Sequence, residues 1–264
     1  MKLVVKTGGQ AGDDVKSRRS LARQIAGLRR SGHDVVVVHG GGRRLTEVLG
    51  GLGIPTEFAD GLRVTDTETR DAALMVLAGL VNKQWVAEIE AQGQAALGLC
   101  GGDGKMVEAR KLTLRNGHGV RDLGYVGRPS RVNTAVLEMA FERRMVPVVA
   151  SLALGPRGEY FNVNADDFAA ALASALPADR LIYLTESGGV WDAERRLLSE
   201  VRVKEIRPMI RKGIVRDGMI PKLLSCARVL AGPVNEVDMI SSSSPDSLLR
   251  VLSQRDYAGT RIVK

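Results

Sequence analysis

Aromatic side chains make up only 4% of this 264-residue chain and cysteine occurs twice, so neither stacked rings nor a disulfide framework can carry its core. Cys100 and Cys226 lie far apart in apolar surroundings, which also argues against a zinc knuckle. No unbroken apolar run approaches the ~18 residues of a membrane span. The chain enters Leu3-Val4-Val5 without the apolar or Arg/Ser-rich leader of a targeting peptide. A reduced, cytoplasmic setting away from membranes is expected. The net charge is +8, yet basic residues come only in short pairs such as Arg18-Arg19, Arg29-Arg30 and Arg43-Arg44. No basic tract interleaves with aromatics, so platforms for stacking bases are missing and no nucleic acid partner is expected. An anionic metabolite or an acidic protein suits the surplus better. Two nucleotide fingerprints are absent as well. There is no G-x-G-x-x-G, and Gly104-Lys105 is followed by Met106 without the Walker spacing, which disfavours a Rossmann dehydrogenase or a P-loop enzyme.

What is present is an alternation of short β-branched runs and longer helical patterns. Residues 3–5 read as a buried strand. Val15–Arg30 repeats Leu21, Ile25 and Leu28 on one helical face, and residues 35–38 form a second strand. A helix follows Gly40-Gly41-Gly42, and Thr65 with Glu68 reads as a capping box opening a long helix to about residue 89. Residues 96–132, rich in Gly and Arg, suggest small strands and a β-hairpin region forming part of a substrate lid. Helix 133–144, strand Val146–Ala150, helix 166–176, strand 181–184 and helices 204–212 and Met219–Leu230 restore the alternation. Residues 236–240, 247–252 and 260–263 close it. This is an α/β pattern with a mainly parallel sheet between helices.

Two glycine clusters, Gly8-Gly9 and Gly40-Gly41-Gly42, each follow a buried strand. Glycine there lets backbone N–H groups face an anion, although tight turn packing asks for the same residue. Lys6 ends the first strand, where parallel α/β proteins open their ligand crevice, although solvated lysines are common at such ends. Asn162, Asn164 and Asp166 alternate ahead of a helix and suit either a polar substrate or a helix cap. Residues 184–190 form a strand end and a small-residue turn of the kind a nucleotide needs. Lys222 sits one turn into a helix.

In order and wording, Lys6-Thr7-Gly8-Gly9, His39-Gly40-Gly41-Gly42, Gly61-Leu62-Arg63-Val64-Thr65-Asp66, Val81-Asn82-Lys83, Asp122-Leu123-Gly124-Tyr125-Val126-Gly127, Asn162 to Asp166 and Asp217 to Lys222 resemble the amino acid kinase family. The resemblance runs from the first strand to Gly259-Thr260-Arg261. It implies an open αβα sandwich, with an N-terminal lobe of about residues 1–175 for an acyl amino acid and a C-terminal lobe of about 176–264 for ATP. It also implies phosphoryl transfer to a carboxylate, with N-acetyl-L-glutamate ranked first as substrate and an acidic carrier protein bearing aminoadipate or glutamate as the alternative. A regulator that kept the fold without catalysis is the reading from another class, disfavoured because both lysines and the aspartate are present. By the same resemblance Lys6 and Lys222 would stabilise the transferring phosphoryl and Asp166 would hold them. Gly41, Gly42, Arg63 and Asn162 would bind substrate. Gly9, Glu186, Ser187, Gly188, Gly189, Val190, Ile214, Val215 and Arg216 would serve ATP, which carries its own Mg2+, with no metal site in the protein. Asn82 and Lys83 read as structural. Glu186 departs from the family's usual aspartate, and Arg43-Arg44 and Cys100 from less basic and small polar residues. A homodimer through the long helix from Asp66 to Gln92 is expected, without the helix that precedes the first strand in the family's arginine-inhibited hexamers.

Overall fold

The computed structural model describes the chain apart from residues 9–11, 13, 117–118, 217, 245 and 254–258. From the N-terminus, β1 (Lys2–Thr7) leads through α1 (Val15–Arg30) to β2 (Asp34–His39) and α2 (Gly42–Gly51). A hairpin of β3 (Phe58–Ala59) and β4 (Leu62–Arg63) precedes α3 (Thr67–Glu90) and β5 (Ala96–Cys100). Then come β6 (Val107–Asn116), β7 (Gly119–Val132), α4 (Ala135–Glu142), β8 (Val146–Ala150), β9 (Leu152–Leu154), β10 (Tyr160–Val163) and α5 (Ala165–Ala175). The remainder holds β11 (Arg180–Thr185), β12 (Glu200–Arg202), α6 (Val203–Arg211), α7 (Met219–Leu230), β13 (Glu236–Ser241), α8 (Ser247–Ser253) and β14 (Gly259–Val263).

Eight strands form one sheet in the order β12-β14-β13-β11-β1-β2-β8-β5. Its pairings are parallel except β13 with β14. Both faces are buried, as the uninterrupted Val/Leu/Ile runs require. Leu3, Val5, Val35 and Val37 join one apolar cluster with residues of α1 and α3; Val4, Val36 and Val38 join the other with residues of α5 and α7. β1 lies between β2, reached by continuing the chain, and β11, reached only after the long excursion. The strand order therefore reverses at β1, and the crevice at the carboxyl ends of these strands is where such sheets bind ligands.

Two local expectations are revised. Residues 96–100 are the outer strand of the main sheet, and the excursion begins only at β6; the β6–β7 hairpin closes into a four-stranded barrel with β9 and β10. Thr65 and Glu68 do not form the capping box. Asp66 caps α3 instead, accepting from Thr69 N at 2.8 Å, because Thr65 is bridged to Gly124 and its hydroxyl donates to Arg63 O at 2.8 Å. By length and composition alone α3 is apolar enough to cross a membrane, but it holds no unbroken apolar run of that length. Asn82, Lys83 and Gln84 interrupt its apolar run, and Val76, Leu77, Val81, Trp85 and Ile89 are buried against the fold, which makes it a core helix. Cys100 and Cys226 are both buried and free.

Candidate active site

Lys6 and Lys222, 216 positions apart in sequence, meet on one carboxylate. Lys6 Nζ lies 2.8 Å from Asp166 Oδ1 and Lys222 Nζ lies 2.5 Å from Asp166 Oδ2. The three side chains are 13%, 17% and 21% exposed, so the cluster is largely withdrawn from water but open at one side. Asn164 caps α5 by accepting from Asp166 N at 2.9 Å and Asp167 N at 3.2 Å, which seats Asp166 at the positive end of that helix. Burial pushes the Asp166 carboxyl up, but the two ammonium groups outweigh it and hold the carboxyl below its ordinary range. Two cations on one anion leave a positive charge uncompensated at the crevice, the requirement for receiving a further anion. Gly8 makes the geometry possible, because a Cβ there would stand 2.4 Å from Lys6 Nζ. Gly9 and Asp217 lie outside the described residues.

The four residues expected to bind substrate, Gly41, Gly42, Arg63 and Asn162, line one cavity of about 190 Å³. Asn164 and Ala165 line it too, which brings it beside Asp166. Gly41 begins α2 at φ 128°, and a Cβ there would lie 2.9 Å from Leu77, so glycine is required twice over. Asp60 and Gly61, at φ 50° and 78°, form the hairpin turn with two positive φ values that projects β4 and Arg63 into the pocket. Arg63 Nη2 donates to Gly42 O at 2.9 Å and to Thr46 Oγ1 at 2.7 Å, and the guanidinium stacks 4.7 Å over the Phe58 ring. It is 7% exposed, and no carboxylate pairs with it among the described residues. A buried, oriented guanidinium with its charge unmatched has the chemistry to pair with a carboxylate. Asn162 Nδ2 donates weakly to Thr65 Oγ1 at 3.4 Å. The barrel is tied to this pocket where Tyr125 N donates to Thr65 O at 2.6 Å; a Cβ on Gly124 would strike that oxygen at 2.1 Å. Arg43 and Arg44 do not line this pocket. They border a larger cavity of about 490 Å³ with Arg18, and Arg44 pairs with Glu47 at 2.8 Å.

Each expected nucleotide segment contributes to one apolar cluster, through Val190 in the first and Ile214 and Val215 in the second. Gly188 and Gly189, at φ 71° and 152°, turn the chain after β11; Val190 N then donates to Thr260 Oγ1 at 2.7 Å. Val190 and Val215 are buried in the same cluster and Ile214 packs against it, so the side chains of Val190 and Val215 face the core. Glu186 and Ser187 are exposed at the turn, and Arg216 Nε donates to Gly213 O at 2.7 Å.

Several contributors were not anticipated. His39 is buried, its Nδ1–H donating to Gly40 O at 2.9 Å and its Nε2 accepting from Asn82 Nδ2 at 3.0 Å. Asn82 also donates to Leu99 O and Val148 O, confirming its structural role across β2, β8 and β5. Burial lowers the His39 pKa from 6.5 to about 4, the Gly40 hydrogen bond opposing, so the ring is neutral at neutral pH. Ser151 lines the cavity that holds Arg63 and Asn162, and Trp191 Nε1 donates to Ser187 O at 2.8 Å with the ring 44% exposed beside the glycine turn. His39 could have been suspected from its place directly before Gly40; Ser151 carries no local signal.

The fold and this site define a doubly wound α/β protein with a cluster of two lysines and an aspartate at the carboxyl ends of its central strands. The chain belongs to the amino acid kinase family, whose model matches residues 1–238. It is 44% identical over 263 residues to an acetylglutamate kinase of Koribacter versatilis, covering 100% of this chain and 99% of that one. Among solved structures, N-acetylglutamate synthase from Neisseria gonorrhoeae, complexed with coenzyme A and N-acetyl-glutamate, superposes with a TM-score of 0.87 at 25% identity; this chain spans 59% of that one. Carbamate kinase from Giardia lamblia shares the fold, at a TM-score of 0.67 and 17% identity, with 100% of this chain and 98% of that one covered.

Proposed function

We propose that this chain transfers the γ-phosphoryl group of ATP to the side-chain carboxylate of N-acetyl-L-glutamate, giving an acyl phosphate in arginine biosynthesis. The observation that carries the reading is the pair of ammonium groups on Asp166, beside a pocket with an unmatched guanidinium. A carboxylate nucleophile is already ionised at neutral pH, so the transfer needs no general base. It needs in-line positioning and neutralisation of charge on the phosphoryl oxygens. Lys6 and Lys222 supply that charge and Asp166 fixes their separation. Arg63 takes the α-carboxylate, Asn162 the acetylated amine, the N–H groups of Gly41 and Gly42 the substrate, and that of Gly9 the phosphoryl group. Glu186 to Val190 and Ile214 to Arg216 hold the nucleotide. Mg2+ enters as part of the nucleotide substrate, since both oxygens of Asp166 are taken by lysines.

In this reading residues 1–175 carry the acyl amino acid and 176–264 carry ATP. The exposed Met75 and Leu80 of α3, 64% and 39% accessible, support a homodimer through that helix. Light scattering that gives a monomer at micromolar protein would refute the dimer. The activity is tested by incubating the protein with MgATP, hydroxylamine and either free N-acetyl-L-glutamate, N-acetylaminoadipate or glutamate. Acyl phosphate is trapped as hydroxamate, expected with N-acetyl-L-glutamate alone. Hydroxamate only from a carrier-linked substrate would transfer the reading to the carrier-dependent alternative, and none from any substrate would defeat it.

A further inference from the structure

Tyr183 is fully buried in the middle of β11, an unusual place for a hydroxyl among Leu181, Ile182 and Leu184. In the parallel register it sits directly beside Lys6 of β1, so both side chains leave the same face of the sheet. That face carries α5 and α7, the helices that bear Asp166 and Lys222. Two contacts follow from the placement. The Tyr183 hydroxyl donates to the main-chain oxygen of Asp166 at 3.3 Å, and Lys222 Nζ lies 5.2 Å from the centroid of the Tyr183 ring. Burial raises the phenol well above its ordinary pKa, so it remains a neutral donor.

We infer that Tyr183 is a positioning residue for the transfer, an aromatic floor that fixes the Lys222 ammonium against Asp166. The inference rests on the kinase reading above. An ammonium over a ring face is attracted by the ring's negative quadrupole, and the attraction strengthens where water is excluded, as at this largely buried cluster. The floor also closes the side away from the crevice, so the ammonium is directed toward Asp166 and the incoming phosphate. A lysine side chain has several rotatable bonds, and Asp166 alone restrains only its tip. The ring restrains the approach of that tip from below. The hydroxyl contributes less, because at 3.3 Å its hydrogen bond is long for an O–H donor.

The test compares Tyr183→Phe, which keeps the ring, with Tyr183→Leu, which removes it while conserving an apolar side chain. Tyr183→Phe should keep kcat within about twofold of the parent. Tyr183→Leu should lower kcat about 3- to 30-fold with KM for N-acetyl-L-glutamate and for ATP unchanged, the signature of an interaction expressed in the transition state. A second readout needs no turnover. With 13C-labelled lysine, the ε-CH2 signal of Lys222, assigned through Lys222→Arg, should be displaced upfield by the ring current in the parent and in Tyr183→Phe, and should return to the position of solvent-exposed lysines in Tyr183→Leu. Equal kcat in Tyr183→Leu and the parent, a loss confined to KM, or an undisplaced Lys222 signal in the parent would each overturn the assignment. A parent protein that makes no hydroxamate but shows the displaced signal would defeat the kinase reading and leave the geometry of Tyr183 intact.

Discussion

Acidification from about pH 7 to pH 4 should remove about 3 kcal/mol of folding stability through His39 alone. The imidazole is 1% exposed and already committed at both nitrogens, so a proton on Nε2 would replace its only acceptor with a donor facing the Asn82 amide. Desolvation is the main reason the pKa falls from 6.5 to about 4. Between those values the unfolded chain binds a proton that the folded chain refuses, so the unfolded state gains as pH falls and the effect saturates below the folded value. At about 1.36 kcal/mol per pH unit, that interval gives the magnitude stated. Urea denaturation of the parent and of His39→Gln at about pH 7, 5.5 and 4 measures it. The variant cannot take up the proton, so its stability should fall less over the window, by about 3 kcal/mol. Parallel losses in the two proteins would refute the argument.

Gly8→Ala should spare stability, because the atom its Cβ meets is the end of a flexible lysine, yet lower kcat by displacing Lys6 Nζ; an unchanged kcat would show that Lys6 needs no fixed position. Arg63→Lys keeps the charge but loses the planar fork that reaches Gly42 and Thr46 while facing the pocket. KM for N-acetyl-L-glutamate should rise about tenfold or more, with ATP affinity kept, in steady-state kinetics. Asp166→Asn strands two ammonium groups, and urea denaturation at neutral pH should read a loss on the order of 3 kcal/mol. The Asp166 carboxyl is held below its ordinary value of 3.8, so its contribution is complete above that value and vanishes as pH falls through the lowered one. Parent and variant should therefore converge in strong acid.

The sheet was legible in the sequence because residues 3–5 and 35–38 carry the unbroken β-branched runs that only strands buried on both faces require. Lys6, Asp166 and Lys222 were identifiable through strand ends, caps and family wording, and the resemblance already implied that Asp166 holds both lysines, which both contact it in the fold. The barrel was not legible. Its closing pairings join residues as distant as Glu108 and Leu154, and nothing local in either segment records the other. The cap of α3 was misread by one residue, since Thr65 and Asp66 are both good cap types and only the bridge to Gly124 decides between them. Tyr183 reads in sequence as one more β-forming aromatic, and its chemistry exists only through its register with Lys6.

That register explains why one short strand can serve both scaffold and chemistry. Successive side chains of β1 leave opposite faces, so Lys6 joins Tyr183, Asp166 and Lys222 while Thr7, paired in register with His39, faces the side of Trp85 and α3. On the Trp85 side the demand is rigidity: a neutral histidine and a buried amide, each hydrogen-bonded, hold the glycine loop. Across the sheet the demand is charge, met by two cations on one carboxylate. Gly40, Gly41 and Gly42, after β2, line both the cavity beside Trp85 and the pocket beside Asp166, so this loop joins the two faces. A substitution on the scaffold face should therefore act on the chemistry only through loop position, raising KM first. One on the charged face should lower kcat first. His39→Gln and Tyr183→Leu form the comparison, and a reversed pattern would break the division.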